Sequence, residues 1–184
     1  MKSAHEIIQS FIDQYNFKSY LEIGWGAGFT FEKIKCEKKI SVDPDPQTRP
    51  TFHGTSDGFF TQNKDIFDLI FIDGLHLCEQ VKRDIQNSLD CLSSDGIIVM
   101  HDCCPTTEIM QSVPRPQPSW TGDVWKAFLY YRQFPDLSMF TFNIDYGCGI
   151  IKKGAQEPLI IKTEDMTWDN FVKNKESWLN LKNT

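Results

Sequence analysis

The chain has 184 residues, 40% of them hydrophobic and 24% charged, and its 19 Lys and Arg against 25 Asp and Glu give a net charge of −6. That length suits one domain of ordinary size, expected over 1–184, and area scaling buries about 70% of the unfolded surface, so the core needs no covalent staples. The composition argues against global disorder, the acidic balance against broad nucleic-acid or membrane-surface binding, and no apolar run approaches the roughly 20 residues that cross a bilayer.

In chain order, Ser3 and Glu6 have capping-box spacing, and Ile7, Ile8, Phe11, Ile12 and Tyr15 recur at helical intervals, which predicts a helix over 4–15. This segment lacks the unbroken apolar core of a signal peptide, and the expected location is cytoplasmic. Tyr20 to Ile23 reads as a strand that stops at Gly24-Trp-Gly-Ala-Gly28, with a helix continuing over Phe29 to Lys35. Lys39 to Val42 is a second strand, ending at Asp43, and three prolines make 44–50 a loop. Phe67 to Ile72 is apolar nearly throughout, as suits a strand covered on both faces. Val81, Ile85, Leu89 and Leu92 mark a helix from Leu77, Ser93 to Gly96 a turn, and Ile97 to Met100 a strand ending at His101-Asp102. Four prolines make 103–122 a long loop, expected to serve the substrate. Val124 to Arg132 reads as a helix with Asp123 as its N-cap. Residues 139–143 and 148–152 read as two strands joined by a turn containing Asp145 and Gly147. A last helix surrounds Trp168, Phe171, Trp178 and Leu179.

Alternating strands and helices predict an α/β, Rossmann-like, doubly wound sheet, mostly parallel, with one antiparallel strand from the C-terminal hairpin. Ligands of such sheets sit at the carboxyl ends of the strands. Gly24, Asp43, Asp73 and His101-Asp102 end the predicted strands and should line one crevice.

The glycines after the first strand let the backbone turn tightly and approach a ligand. Phe29 stands where a dinucleotide motif carries its third glycine, which favours a nucleoside cofactor without pyrophosphate over NAD. Asp43 can accept both hydroxyls of a ribose, or be a solvated loop residue before Pro44. Asp57, before Phe59-Phe60, can take an adenine amino group or cap the turn or helix that follows. Asp73, His76, His101 and Asp102 form a second set. Two carboxylates with an imidazole can hold Mg²⁺ and orient a hydroxyl, or His76 or His101 can remove the hydroxyl's proton. The plainer readings are a structural His101 and a His76 that caps the next helix. Trp120 and Trp125 are core or pocket wall. The six cysteines form no C-x-x-C pair and no zinc spacing, so they are expected to be reduced.

Leu21-Glu-Ile-Gly-Trp-Gly-Ala-Gly28, the strand-end Asp43, and Phe67-Asp-Leu-Ile-Phe-Ile-Asp-Gly-Leu-His76 resemble class I S-adenosylmethionine-dependent methyltransferases. Continued through Asp84 to Gly96-Ile-Ile-Val-Met-His-Asp102, the pattern resembles the methyltransferase domain 24 subgroup, over about residues 15–155. The resemblance implies a seven-stranded sheet and an S-adenosylmethionine cofactor. Its methionine part would be held by Glu22, Gly24, Trp25, Gly26 and Gly28 with Asp73 beside it, its ribose by Asp43 and its adenine by Asp57. It also implies methyl transfer to a small molecule, most simply a hydroxyl of a sugar, glycan precursor or secondary metabolite. The subgroup is similar to catechol and macrolide-sugar O-methyltransferases, which hold a divalent metal with strand-end carboxylates, here Asp73 and Asp102. Cys103 stands where the catechol enzymes carry Asn, and a thiol is a poor Mg²⁺ ligand. The rival readings are N-methylation, an NAD-binding oxidoreductase and a non-catalytic cofactor-binding module. No nucleic-acid or membrane partner is expected, and the oligomeric state is open, a homodimer included.

Overall fold

The apolar runs that read as strands in the sequence pair side by side in the computed structural model. It describes residues 3–183 of the expected 1–184 span, so Met1, Lys2 and Thr184 lie outside the described residues. The strands are β1 (Ser19–Ile23), β2 (Lys38–Asp43), β3 (Phe52–His53), β4 (Phe67–Ile72), β5 (Leu92–Met100), β6 (Leu137–Phe142), β7 (Cys148–Lys153) and β8 (Leu181–Lys182). They form one sheet in the order β3-β2-β1-β4-β5-β7-β6-β8. Only β7 runs against its neighbours, pairing antiparallel with β5 and β6, while every other pair is parallel. The sheet has eight strands rather than seven. The extra one is a two-residue edge strand that follows the last helix and is tied to β6 by the Asn143 amide donating to the Lys182 carbonyl.

Alternation along each strand sends side chains to two cores. Leu21, Ile23, Ile70, Ile72, Ile98 and Met100 pack toward α2 (Ser56–Gln62), α3 (Cys78–Asp90), α5 (Val124–Tyr131) and α6 (Trp168–Trp178). Tyr20, Leu69, Phe71, Ile97 and Val99 face α1 (Ala4–Tyr15) and Ile34. The accessible surface is 9310 Å², close to the ~9,000 Å² that area scaling gives for a chain of this size. No helix among the described residues is long and apolar enough to cross a membrane.

Several local expectations differ from the structure. The helix over Phe29 to Lys35 shrinks to a 3₁₀ turn, Phe31–Lys33. The Lys39 ammonium takes the carbonyls of Phe31 and Ile34 at 2.8 and 2.9 Å, so those acceptors are satisfied without a helix. Ser93 to Gly96 is not a free turn: it is a bulged stretch inside β5, where the register against β4 shifts between Phe67 and Leu69. Ser3 does not cap α1 with its side chain; its hydroxyl meets His5 Nδ1 at 2.9 Å. Asp123 does not cap its own helix either. Its Oδ1 accepts the Cys78 amide at 2.7 Å and so caps α3, whose own N-cap, Leu77, has no polar side chain to do it. The proline-rich stretch contains one short helix, α4 (Glu108–Gln111). Trp125 is fully buried among Phe171 and Trp178, whereas Trp120 lies at a cavity wall.

Candidate active site

The carboxyl ends of β1, β2, β4 and β5 meet at one edge, as the strand-end rule requires. Gly24 adopts φ +93, and a Cβ there would lie 2.0 Å from the Asp73 carbonyl oxygen, so the β1–β4 junction closes only on glycine. Gly26 also has positive φ, +52, but a Cβ there would meet nothing within 4 Å. Its amide donates to Asp43 Oδ2 at 2.8 Å, and the Asp45 amide donates to Oδ1 at 2.8 Å. Asp43 is therefore a buried, oriented carboxylate rather than a solvated one, with further acceptor capacity on both oxygens.

The loop and strand ends enclose a cavity of about 540 Å³, lined among others by Gly24, Gly26, Asp43, Asp57, Asp73 and Arg115. Asp57 sits in the first turn of α2, half-exposed, 3.2 Å from Gln80 Nε2 and 3.5 Å from Arg83 Nε. Three residues expected around the cofactor are placed differently. Glu22 points to the α1 side of the sheet, accepts the Tyr20 hydroxyl, and has its pKa pushed up to about 8, chiefly by burial. Gly28 leaves room for the Trp25 ring, which a Cβ would meet at 2.6 Å, so these two shape the loop from behind and do not line the cavity. The cradle fits a nucleoside sulfonium. Gly26 opens onto free space, and the acidic lining suits a positive charge.

The second set assembles. His76 Nε2 lies 3.3 Å from Asp73 Oδ1, and His76 Nδ1 lies 3.2 Å from both the Trp120 carbonyl and Asp102 Oδ2. His76 stacks on the Trp120 ring, with centroids 5.5 Å apart. His101 Nδ1 is 3.4 Å from Asp73 Oδ1 and 3.4 Å from Asp102 Oδ1, and its Nε2 is 3.4 Å from Asp145 Oδ2. Asp145 also accepts the Ala4 amide at 3.0 Å, so the first turn of α1 is tied to this cluster. Asp102 holds the left-handed region at φ +62, which turns its carboxylate back toward both imidazoles. Cys103 is fully buried behind the cluster and takes no part in it.

Environment separates the two histidines. Burial disfavours the charged form of each, but His101 faces Asp102, Asp145 and Asp73 and is held protonated well above the usual histidine range. For His76 burial is likewise outweighed, chiefly by Asp73, and its pKa is raised. Asp73 shows the converse: burial is outweighed by the two histidines, and its pKa falls to about 2.

Donor atoms of Asp73, His76 and Asp102 lie within 4.8 Å of one another. Their two carboxylates and one imidazole are ligands a divalent cation accepts, and in the structure His101 Nδ1 spans the gap between the two carboxylates, 3.4 Å from each. A cavity of about 290 Å³ opens beside the cluster, lined by Asp73, His76, His101, Asp102, Trp120 and Tyr146 with Met110, Ser119 and Thr121. Asp73 thus borders both cavities. Sequence reasoning did not assign a role to Asp145, Tyr146 or Arg115. The first two stand in the hairpin turn, with φ +50 and +58, and reach the cluster only because the Cys103 and Cys104 amides bond to the Gly147 and Tyr146 carbonyls.

Known proteins share the fold that carries this edge of the sheet. The family model described as a methyltransferase domain, of the domain 24 type, matches residues 21–103. No curated protein matches the chain. Among solved structures, it is similar to the S-adenosylhomocysteine-bound methyltransferase PaMTH1 of Podospora anserina, with 17% identity, a TM-score of 0.64, and 83% of this chain and 80% of that one covered. It is also similar to the O-methyltransferase TomG of Streptomyces achromogenes, involved in tomaymycin synthesis and bound to S-adenosylmethionine, with 9% identity, a TM-score of 0.64, and 82% and 79% covered. A third is an O-methyltransferase of Bacillus cereus in complex with S-adenosylhomocysteine, with 12% identity, a TM-score of 0.58, and 83% and 80% covered. Residues 21–103 thus match a methyltransferase domain, and the chain as a whole shares the fold of these methyltransferase structures.

Proposed function

We propose that residues 3–183 act as one domain that methylates a hydroxyl of a small molecule, such as a sugar, a glycan precursor or a secondary metabolite. The observation that carries this reading is Asp73, which borders both the glycine-loop cavity and the smaller cavity at the two histidines. A donor in the first and an acceptor in the second would meet there, and positioning of this kind is the largest part of what such a site contributes. When bound, S-adenosylmethionine supplies an electrophilic methyl group for an acceptor oxygen. The proline-rich segment 103–122 supplies the outer wall of the acceptor site through Met110, Ser119 and Trp120. The six free thiols suit a reducing compartment such as the cytoplasm.

The proton work falls to His76. His101 faces three carboxylates and stays charged, so it serves as a fixed cation that keeps Asp73 and Asp102 together. His76 Nδ1–H donates to the Trp120 carbonyl, and Nε2, 3.3 Å from Asp73 Oδ1, would take the proton of an acceptor hydroxyl that displaces this contact, Asp73 then stabilising the imidazolium that forms. Mg²⁺ has no part in this reading.

The pH dependence has a definite sign. A base works in its neutral form, and the pKa of His76 is raised, so the rate should climb as pH rises through a value above the ordinary histidine value of about 6.5, then level off. His76→Gln should lower turnover by roughly a hundredfold or more, a general-base contribution, with cofactor affinity retained. S-adenosylhomocysteine release in the presence of hydroxylated acceptors measures both, and EDTA should leave the rate unchanged. A rate abolished by EDTA and restored by Mn²⁺ would show that His76 is a ligand instead of a base.

A further inference from the structure

The larger cavity has an uneven charge. Four carboxylates line it, those of Asp43, Asp45, Asp57 and Asp73. Among the described lining residues Arg115 is the one cation, and it comes from the proline-rich segment rather than from the sheet edge. Its guanidinium is held in place from one side. Nε donates to the Gln117 carbonyl at 3.0 Å and Nη2 donates to the Pro118 carbonyl. A guanidinium has five N–H donors in a rigid fork, so three remain. The guanidinium carbon lies 5.8 Å from the centroid of the Trp120 ring, whose stacking partner is His76.

A sulfonium-linked amino acid would bring two positive groups and one carboxylate into this cavity. The acidic lining favours the positive groups and repels the carboxylate. That carboxylate needs a donor cation, and a partly held guanidinium fork matches its shape. We propose that Arg115 binds the amino-acid carboxylate of S-adenosylmethionine. This rests on the cofactor reading above and adds a residue of the acceptor-side segment to the cofactor site. One consequence is geometric. The Arg115–Trp120–His76 stack then joins a loaded donor cavity to the wall and the base of the acceptor cavity.

The test compares S-adenosylmethionine with its decarboxylated form, which keeps the adenosine, the sulfonium and the amine. Calorimetry on the wild type should favour the carboxylated ligand by about tenfold or more, the scale of one charge-assisted hydrogen-bonded contact. Arg115→Gln should erase that preference by weakening only the carboxylated ligand, and Arg115→Lys should restore part of it. If Arg115→Gln weakens both ligands equally, Arg115 merely shapes the loop and the assignment is overturned. Equal wild-type affinities for the two ligands would overturn it as well, with the cofactor reading left standing. A wild type that binds neither overturns the cofactor reading and Arg115 together.

Discussion

Gly26→Val is expected to give a folded protein that no longer takes S-adenosylhomocysteine. A Cβ at Gly26 meets nothing within 4 Å, so the native backbone is not forced apart. The cost to the fold is that of a branched residue at φ +52, roughly 1–2 kcal/mol. The added methyls would instead project into space left open beside the 540 Å³ cavity, where the ligand must approach. Affinity should drop at least about a hundredfold, which corresponds to roughly 2.8 kcal/mol. Circular dichroism should show a spectrum like the wild type's. Normal binding by this variant would make the loop a structural turn with no cofactor against it.

His101→Ala should have the largest effect on stability. The imidazolium lies 3.4 Å from oxygens of Asp73, Asp102 and Asp145. Without it three carboxylates face one another in a site where Asp102 is buried. Removing one partner of such a buried ionic cluster costs on the order of 3 kcal/mol. For a chain of this length that lowers the melting temperature by roughly 6–12 °C. The sign with pH follows from the raised pKa. In the wild type the contribution of His101 is complete below its unfolded value near 6.5 and is lost progressively as pH climbs from there toward the much higher folded value. In the variant, acid protonates the crowded carboxylates and relieves the repulsion. The gap between the two proteins should therefore be widest near about pH 6.5 and narrower both near pH 5 and in alkaline solution. Melting curves across that range would refute the account if the two proteins differed by less than about 2 °C at pH 7.5.

The cores were legible because their strands are short apolar runs. Phe67 to Ile72 and Ile97 to Met100 are covered on both faces and carry almost no polar residue, so no other local structure competes. The same holds for the helix through Val81 and Ile85, whose spacing has one face to bury. Phe29 to Lys35 differs because the carbonyls of Phe31 and Ile34 find a partner in Lys39, which belongs to the next strand. Asp123 misled for a related reason. A capping residue before a helix is ordinarily that helix's cap, and here the fold brings a second, uncapped helix end within 2.7 Å. At the site, residues that end strands could be placed from sequence, since the carboxyl edge of a parallel sheet is where they must go. Asp145 could not, because it arrives on the turn before the antiparallel strand and its position depends on long-range pairing with Cys103 and Cys104. Arg115 lies in a proline-rich stretch with no periodicity to orient it.

The proposed function requires that the glycine loop and Asp43 hold an adenosyl sulfur cofactor beside the histidine–carboxylate cluster. Titration calorimetry of the purified chain with S-adenosylhomocysteine and, separately, with NAD tests it most directly. The account predicts one S-adenosylhomocysteine bound per chain, with NAD far weaker, because the cavity floor offers a carboxylate for a ribose diol and no third glycine for a pyrophosphate. Tight NAD binding with no response to S-adenosylhomocysteine would contradict it.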